Sequence, residues 1–381
     1  MLKQQKIFFD FLRFCIGYAK EIPDSLKEAD WKELYSIAKK QALLGVLLHG
    51  IKRLPKELAP EQKLLMQWMV MAEMIRKQNI RLFQDSVKVC QNFKNEGFAN
   101  CILKGQGNAL LYPDPYMRTP GDIDIYLSGG RKKIMKYVDQ VCPNQVMRYH
   151  HVDFPVMKTA IEVHFTPSYM FFPVHNRRMQ KWFGKVMDLQ CSNVVTLPDG
   201  HGEITVPTMN FNVIYILSHL YRHVFTEGIG LRQLLDYYFV LVKWHTDITN
   251  FTDSNKSLPQ MTQINTDLDA LRHELKYLGL WKFAGAVMYV LHETLGLPEE
   301  KMIAPINVNE GRFLLAEIMQ GGNFGQYDTR LGSKENEGKL HRNLRMSLRN
   351  LRFVKHYPKE ALSEPLFRTW FAIWKKIHGI R

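Results

Sequence analysis

Two aspartates, Asp122 and Asp124, stand at i and i+2 in the run GDIDIYL, residues 121–127. The side-chain period of a strand is two, so on a strand both carboxylates leave the same face. Ile123 and Ile125 lie between and after them, as expected for a half-buried strand. Carboxylates on rigid backbone are hard oxygen ligands of the kind Mg²⁺ takes, with coordination completed by substrate phosphates and water. A third carboxylate on a neighbouring strand would complete a two-metal site, and Glu162, in AIEVHF, is the best placed. An Asp-x-Asp triplet alone says little, because turns and helix caps also use it. The context is what gives it weight. A strand from Asn100 to Lys104 precedes it, then a short helical connection from Gln106 to Leu111 and the turn-rich Tyr112 to Pro115.

The surrounding elements follow from periodicity and punctuation. Asp30 is spaced to N-cap a helix beginning at Trp31, with Leu34, Ile37, Ala38, Ala42, Leu43 and Val46 on one side. Pro60 opens a long amphipathic run from Glu61 to Glu96, and Gly97 stops it. RKKIMKYVDQVC reads as a helix, and strands are expected within 147–156 and 160–165. A hairpin is expected around Pro198-Asp199-Gly200, with Glu203 to Val206 returning. From Thr208 the pattern is helical again, interrupted by loops at 250–263 and 321–338. The expected class is α+β: a small mixed sheet flanked by N- and C-terminal helical regions. The divisions are a helical region at 1–75, an α/β core at 76–207 and a helical domain at 208–381. Near the carboxy terminus, Arg342, Arg345, Arg349 and Arg352 share one helical face beside a stripe of Leu340, Leu344, Leu348 and Leu351. Such a helix, docked by its leucines, would display a row of guanidiniums.

The run LKGQGNALLYPDPYMRTPGDIDIYL resembles the signature of the uncharacterised nucleotidyltransferases in the DNA polymerase β-like superfamily. The shared pattern is Leu-Lys-Gly, a later Leu-Tyr, an Arg, and Gly-Asp-hydrophobic-Asp. IEVHF resembles the family's Glu-hydrophobic-His element. The segment from His219 through GIGLRQLLD resembles its helical element, and LRFVKHYP is similar to a carboxy-terminal feature of such proteins. The resemblance implies a polymerase β-like domain in which Asp122, Asp124 and Glu162 hold Mg²⁺ or Mn²⁺. It also implies transfer of a nucleoside monophosphate from an NTP such as ATP to a hydroxyl, with release of pyrophosphate. Gly105 would let the backbone approach the triphosphate, Gln106 stands where the superfamily has a small residue, and Lys104 and Arg118 would neutralise phosphate charge. His164 and His151 would line an acceptor pocket or support the carboxylates. Arg232 and Asp236, four apart on a helix, are spaced to pair with each other.

The bulk sequence limits the alternatives. The 381 residues are 46% hydrophobic and 23% charged, an ordinary globular composition. The five cysteines are widely spaced, with no Cys-x-x-Cys and no compact Cys/His grouping. Neither a disulfide framework nor a structural zinc site is therefore expected, and reduced thiols fit a cytoplasmic setting. No signal peptide and no run of about 20 apolar residues is visible. No serine-hydrolase, Cys/His-protease or dinucleotide-binding motif is present. The net charge of +14 favours polyanionic partners, NTP and nucleic acid among them. The acceptor stays open among small molecules, sugars, proteins and tRNA. Two further readings are compatible with the chain: a non-catalytic RNA- or protein-binding module that kept the fold, and a nucleotidyltransferase toxin that modifies tRNA.

Overall fold

The computed structural model describes residues 2–254, 267–332 and 338–380. Helices α1 (Lys3–Cys15), α2 (Trp31–Lys40) and α3 (Leu44–Ile51) lead into the long α4 (Gln62–Asn95). Asp30 caps α2 as its sequence predicts, accepting from the Lys32 and Glu33 amides. The single apolar face expected through Val46 is instead divided between two helices, because Ala42 turns left-handed at φ 56°. A mixed segment follows: β1 (Asn100–Leu103), α5 (Gly105–Ala109), β2 (Ile123–Leu127), α6 (Gly130–Val141), β3 (His151–Asp153) and β4 (Ile161–His164). Next come α7 (Pro173–Gln190) and the hairpin of β5 (Val194–Thr196) and β6 (Glu203–Thr205). Helices α8 (Met209–Thr226), α9 (Leu231–Ser254), α10 (Leu268–Tyr277), α11 (Trp281–Leu295), α12 (Val308–Gly321), α13 (Lys339–Val354) and α14 (Pro358–Ile377) complete the chain. The class is α+β. The loop expected at 250–263 gives way to helix as far as Ser254, and its remainder lies outside the described residues.

The four-stranded sheet has the order β1-β2-β4-β3, with β2 and β4 parallel and both outer pairings antiparallel. The period of two sorts its side chains. Ile102, Ile123, Ile125, Ile161 and Val163 join one hydrophobic cluster with the second half of α4 (Leu82, Phe83, Val89, Phe93) and Ile134 and Val138 of α6. Cys101, Leu103 and Tyr126 join a second, larger cluster built by the helices before and after the sheet. The first half of α4, through Trp68, Ala72 and Ile75, belongs to that second cluster. One uninterrupted helix therefore serves both cores, and the expected limit at 75/76 falls in its middle. Asn79, buried at this crossover, donates through Nδ2 to the carbonyls of Tyr116 (2.7 Å) and Arg118 (2.8 Å).

At the carboxy terminus the expected orientation is reversed. Leu344, Leu348 and Leu351 of α13 are exposed at 59%, 45% and 62%, while Arg349 is buried. Arg352 reaches Asp328 at 3.1 Å and Glu317 at 3.6 Å. Phe353 and Asn350 take the inner positions, so α13 docks by the face next to its leucines and draws arginines inward with it. The side chain of Leu340 lies outside the described residues.

Candidate active site

The site is assembled on the sheet face that meets the later helices. In the register, Asp124 on β2 pairs with Leu103 on β1 and with Glu162 on β4, and His164 on β4 pairs with His151 on β3. Paired residues on adjacent strands share a face, so Asp124, Glu162, His164 and His151 converge without any loop having to position them. Asp122 sits one residue ahead of β2, and its side chain reaches solvent although most of its surroundings are protein.

Asp124 is buried and uses both oxygens. Oδ1 accepts from His164 Nε2 at 2.8 Å, and Oδ2 lies 3.0 Å from Lys104 Nζ. Burial alone would raise its pKa; the Lys104 ammonium and the His164 ring instead hold it well below the usual carboxylate range. Asp122 moves the other way, to about 6. The Asp124 carboxylate is the main cause, followed by burial and by Glu162. Glu162 Oε2 lies 3.2 Å from His151 Nδ1 and 3.6 Å from His164 Nε2. Among the described residues, Asp124, Glu162 and His164 offer ligand atoms within 4.8 Å of one another. Asp122 adds its charge from outside that closest grouping.

Lys104 occupies a strained position at φ 56°, ψ −127°, a region that a residue with a Cβ rarely enters. The turn brings its ammonium between Asp124 and His219 of α8, 3.0 Å from His219 Nε2. Gly105 follows at φ 40° and begins α5, whose first-turn amides have no acceptor within the helix. A Cβ on Gly107 would come within 2.9 Å of Val206, so a glycine is needed there for α5 to pack. Gln106, a nucleotide-binding candidate by its place in the sequence, turns its side chain away from the site. Its side chain is buried against α4, where Oε1 accepts from the Ser86 hydroxyl at 3.4 Å, so only its backbone faces the turn.

Arg118 also departs from its assignment. Nε and Nη2 donate to the two oxygens of Asp236 at 2.7 and 2.8 Å, and the Tyr112 hydroxyl donates to Asp236 Oδ1 at 2.7 Å. This guanidinium is matched inside the protein and is not available to a phosphate. Nor does Asp236 pair with Arg232. Arg232 donates Nη1 to the Thr119 carbonyl at 3.3 Å, and its buried Nε has no hydrogen-bond partner. Its charge is felt by Asp122, and burial followed by repulsion from Arg118 lowers its pKa. Among the described residues Arg232 makes no close ion pair, although Asp236 and, more weakly, Asp122 attract it.

Arg222 and Glu227, which the sequence did not single out, join His219 and His223 on α8 beside Lys104. Arg222 Nη2 lies 3.4 Å from His219 Nδ1 and 3.0 Å from His223 Nε2, and His223 Nδ1 lies 3.4 Å from Glu227. Burial pushes His219 well below the usual imidazole range and His223 to about 4. The His219/His223 spacing of four was the visible signal; its link to Lys104 was not.

With this geometry in hand, comparison with known families gives a match over residues 27–296 to the family described as uncharacterised nucleotidyltransferase. The chain belongs to that family. It is therefore an enzyme of the class that transfers phosphorus-containing groups from a nucleoside triphosphate. Neither the curated proteins nor the solved structures gave a match. None of the described helices is long and apolar enough to cross a membrane.

Proposed function

We propose that this protein transfers a nucleoside monophosphate from an NTP to a hydroxyl-bearing acceptor and releases pyrophosphate, using the carboxylates Asp122, Asp124 and Glu162. The observation that carries this reading is the register: Asp124 and Glu162 lie side by side on parallel strands, with Asp122 two residues away. Their mutual repulsion, seen in the raised Asp122 pKa, is the electrostatic deficit that a bound cation relieves. This fits a divalent metal, Mg²⁺ or Mn²⁺, which would acidify the acceptor hydroxyl and neutralise the leaving pyrophosphate. The protein's own groups supply the rest. Gly105 leaves the turn open for a triphosphate, and Lys104 and Arg232 are the cations placed to neutralise its oxygens. Glu162, with His151 Nδ1 at 3.2 Å, is placed to take the acceptor's proton. Holding Asp124 and Glu162 on strands rather than loops favours the in-line geometry that phosphoryl chemistry requires.

The binding-module alternative would use a basic surface, and two arginines of the row on α13 are withdrawn from one: Arg349 is buried and Arg352 pairs with Asp328. The acceptor class is open to test. Purified protein is incubated with Mg²⁺ or Mn²⁺ and each α-labelled NTP, alone and with small-molecule, protein and tRNA fractions. Label transfer that is lost in Asp124→Ala supports the proposal. Absence of both NTP binding and transfer overturns it.

A further inference from the structure

Helix α14 is apolar on two sides. Phe367, Phe371 and Trp374 pack inward onto the two hydrophobic clusters of the body. Leu362, Leu366, Trp370, Ile373 and Ile377 follow one another at spacings of three and four on a different side, and each is between 50% and 74% exposed. Scattered exposed leucines are ordinary, but a row of five along one helix is a continuous patch. Between α14 and α7 lies a cavity of about 500 Å³, lined by Leu366, Phe367 and Trp370 from one helix and by Pro173 and Arg177 from the other. The charges around this patch have one sign. Lys359 and Lys376 on α14 and Arg177 and Lys181 on α7 are exposed. The acids of α14 are turned inward: Glu360 is buried with His175 Nδ1 at 2.8 Å, and Glu364 is buried with Asn350 Nδ2 at 3.0 Å. Helix α7 has a single acid, Asp188, in its last turn.

We infer that this face of α14 and α7 docks on an anionic phospholipid bilayer, with the apolar row among the acyl chains and the flanking cations at the headgroup phosphates. The pattern is that of a helix lying in a membrane interface: an aliphatic row, a tryptophan at the water boundary, and lysine and arginine at the margins. The 20 residues of α14 give a contact line of about 30 Å along the surface. Such a helix rests on the bilayer and does not cross it, in keeping with the absence of a spanning helix among the described residues. The same observations weigh against other occupants. In a two-fold pair of copies the patch meets itself, which sets like charges against each other. Nucleic acid would engage the cations but leave the aliphatic row in water. Anionic lipid satisfies both parts of the surface at once.

The surface uses no residue of the carboxylate site, so it stands or falls apart from nucleotide transfer. Purified protein is sedimented with vesicles of phosphatidylcholine alone and of phosphatidylcholine mixed equally with phosphatidylglycerol. Binding to the mixed vesicles is expected to be at least ~10-fold tighter and to weaken as salt is raised. Lys359→Gln combined with Lys376→Gln should weaken it about 25-fold, since each cation near an anionic surface contributes roughly fivefold. Leu366→Glu combined with Ile373→Glu should abolish it, while the melting curve and NTP label transfer stay as in the wild type, because both side chains are largely exposed. Brominated acyl chains should quench tryptophan fluorescence in the wild type and quench it less in Trp370→Phe. Absence of binding to the mixed vesicles overturns the inference, and so does binding that the Leu366→Glu, Ile373→Glu variant retains, which would be adhesion by net charge alone. A dimer in analytical ultracentrifugation that the same variant dissociates assigns the row to a second copy and overturns it too. The wild-type vesicle comparison decides the matter even where a variant does not fold.

Discussion

Two buried acid–base constellations lie close together in this molecule and are built on opposite principles. Around Asp236, one carboxylate meets one guanidinium through two bonds and one phenol through a third, so charge and hydrogen bonds balance. Around Asp124, three carboxylates crowd one ammonium, and one of them is pushed up to about 6 as a result. The first arrangement is complete within the chain; the second becomes balanced only when something positive arrives. Completeness of the partner set, more than burial or charge, separates a structural ion pair from a reactive site.

Breaking each constellation should therefore have different consequences. Asp124→Asn is expected to lower NTP transfer by on the order of 10³, read by label transfer, while the melting curve changes little. Arg118→Ala should do the reverse and cost about 3–5 kcal/mol of stability in urea unfolding, because Asp236 is left buried and unpaired. Replacing the whole set with Arg118→Met, Asp236→Leu and Tyr112→Phe should recover most of that loss, since no orphaned charge remains. Arg232→Gln removes a cation that makes no close ion pair among the described residues. It should raise KM for the NTP about 10- to 100-fold, with kcat nearly unchanged.

The smallest effect is expected at a third, half-exposed pair. Asp328 is held below the ordinary carboxylate range, first by its bond to Arg330; burial opposes this, and the bond from Arg352 adds to the lowering. A folded-state pKa below the unfolded value of about 3.9 stabilises the fold above that pH, and the contribution disappears as pH falls through the folded value. Asp328→Asn should therefore lose less than ~1 kcal/mol at pH 7, with the gap to wild type closing below about pH 4 in pH-stepped urea unfolding.

The same contrast explains what was legible in the sequence. Asp124 and Glu162 could be read because an i, i+2 pattern fixes a face, and the sheet carries that face into the site. His164 was visible as a face-mate of Glu162, but the meeting with His150 and His151 depends on the register of β3 against β4, which no local pattern states. Arg118 and Asp236 are 118 residues apart, so their pairing is a tertiary fact, and phosphate binding was the plausible wrong assignment for Arg118. On α13 the periodicity grouped arginines and leucines correctly into faces but could not say which face docks. Helix α7 went unread because its apolar residues are interleaved with Arg177, Arg178, Lys181 and Lys185 along its length.

Helix α4 has a consequence for cooperativity. Its 34 residues make a rod roughly 50 Å long, with one half embedded in the helical core and the other in the sheet core. Fraying either half would strip the other of a wall, and the Asn79 bonds at the midpoint would go with both. The residues matched to the family should therefore melt in one transition, and severing the chain within α4 should leave neither fragment able to fold alone.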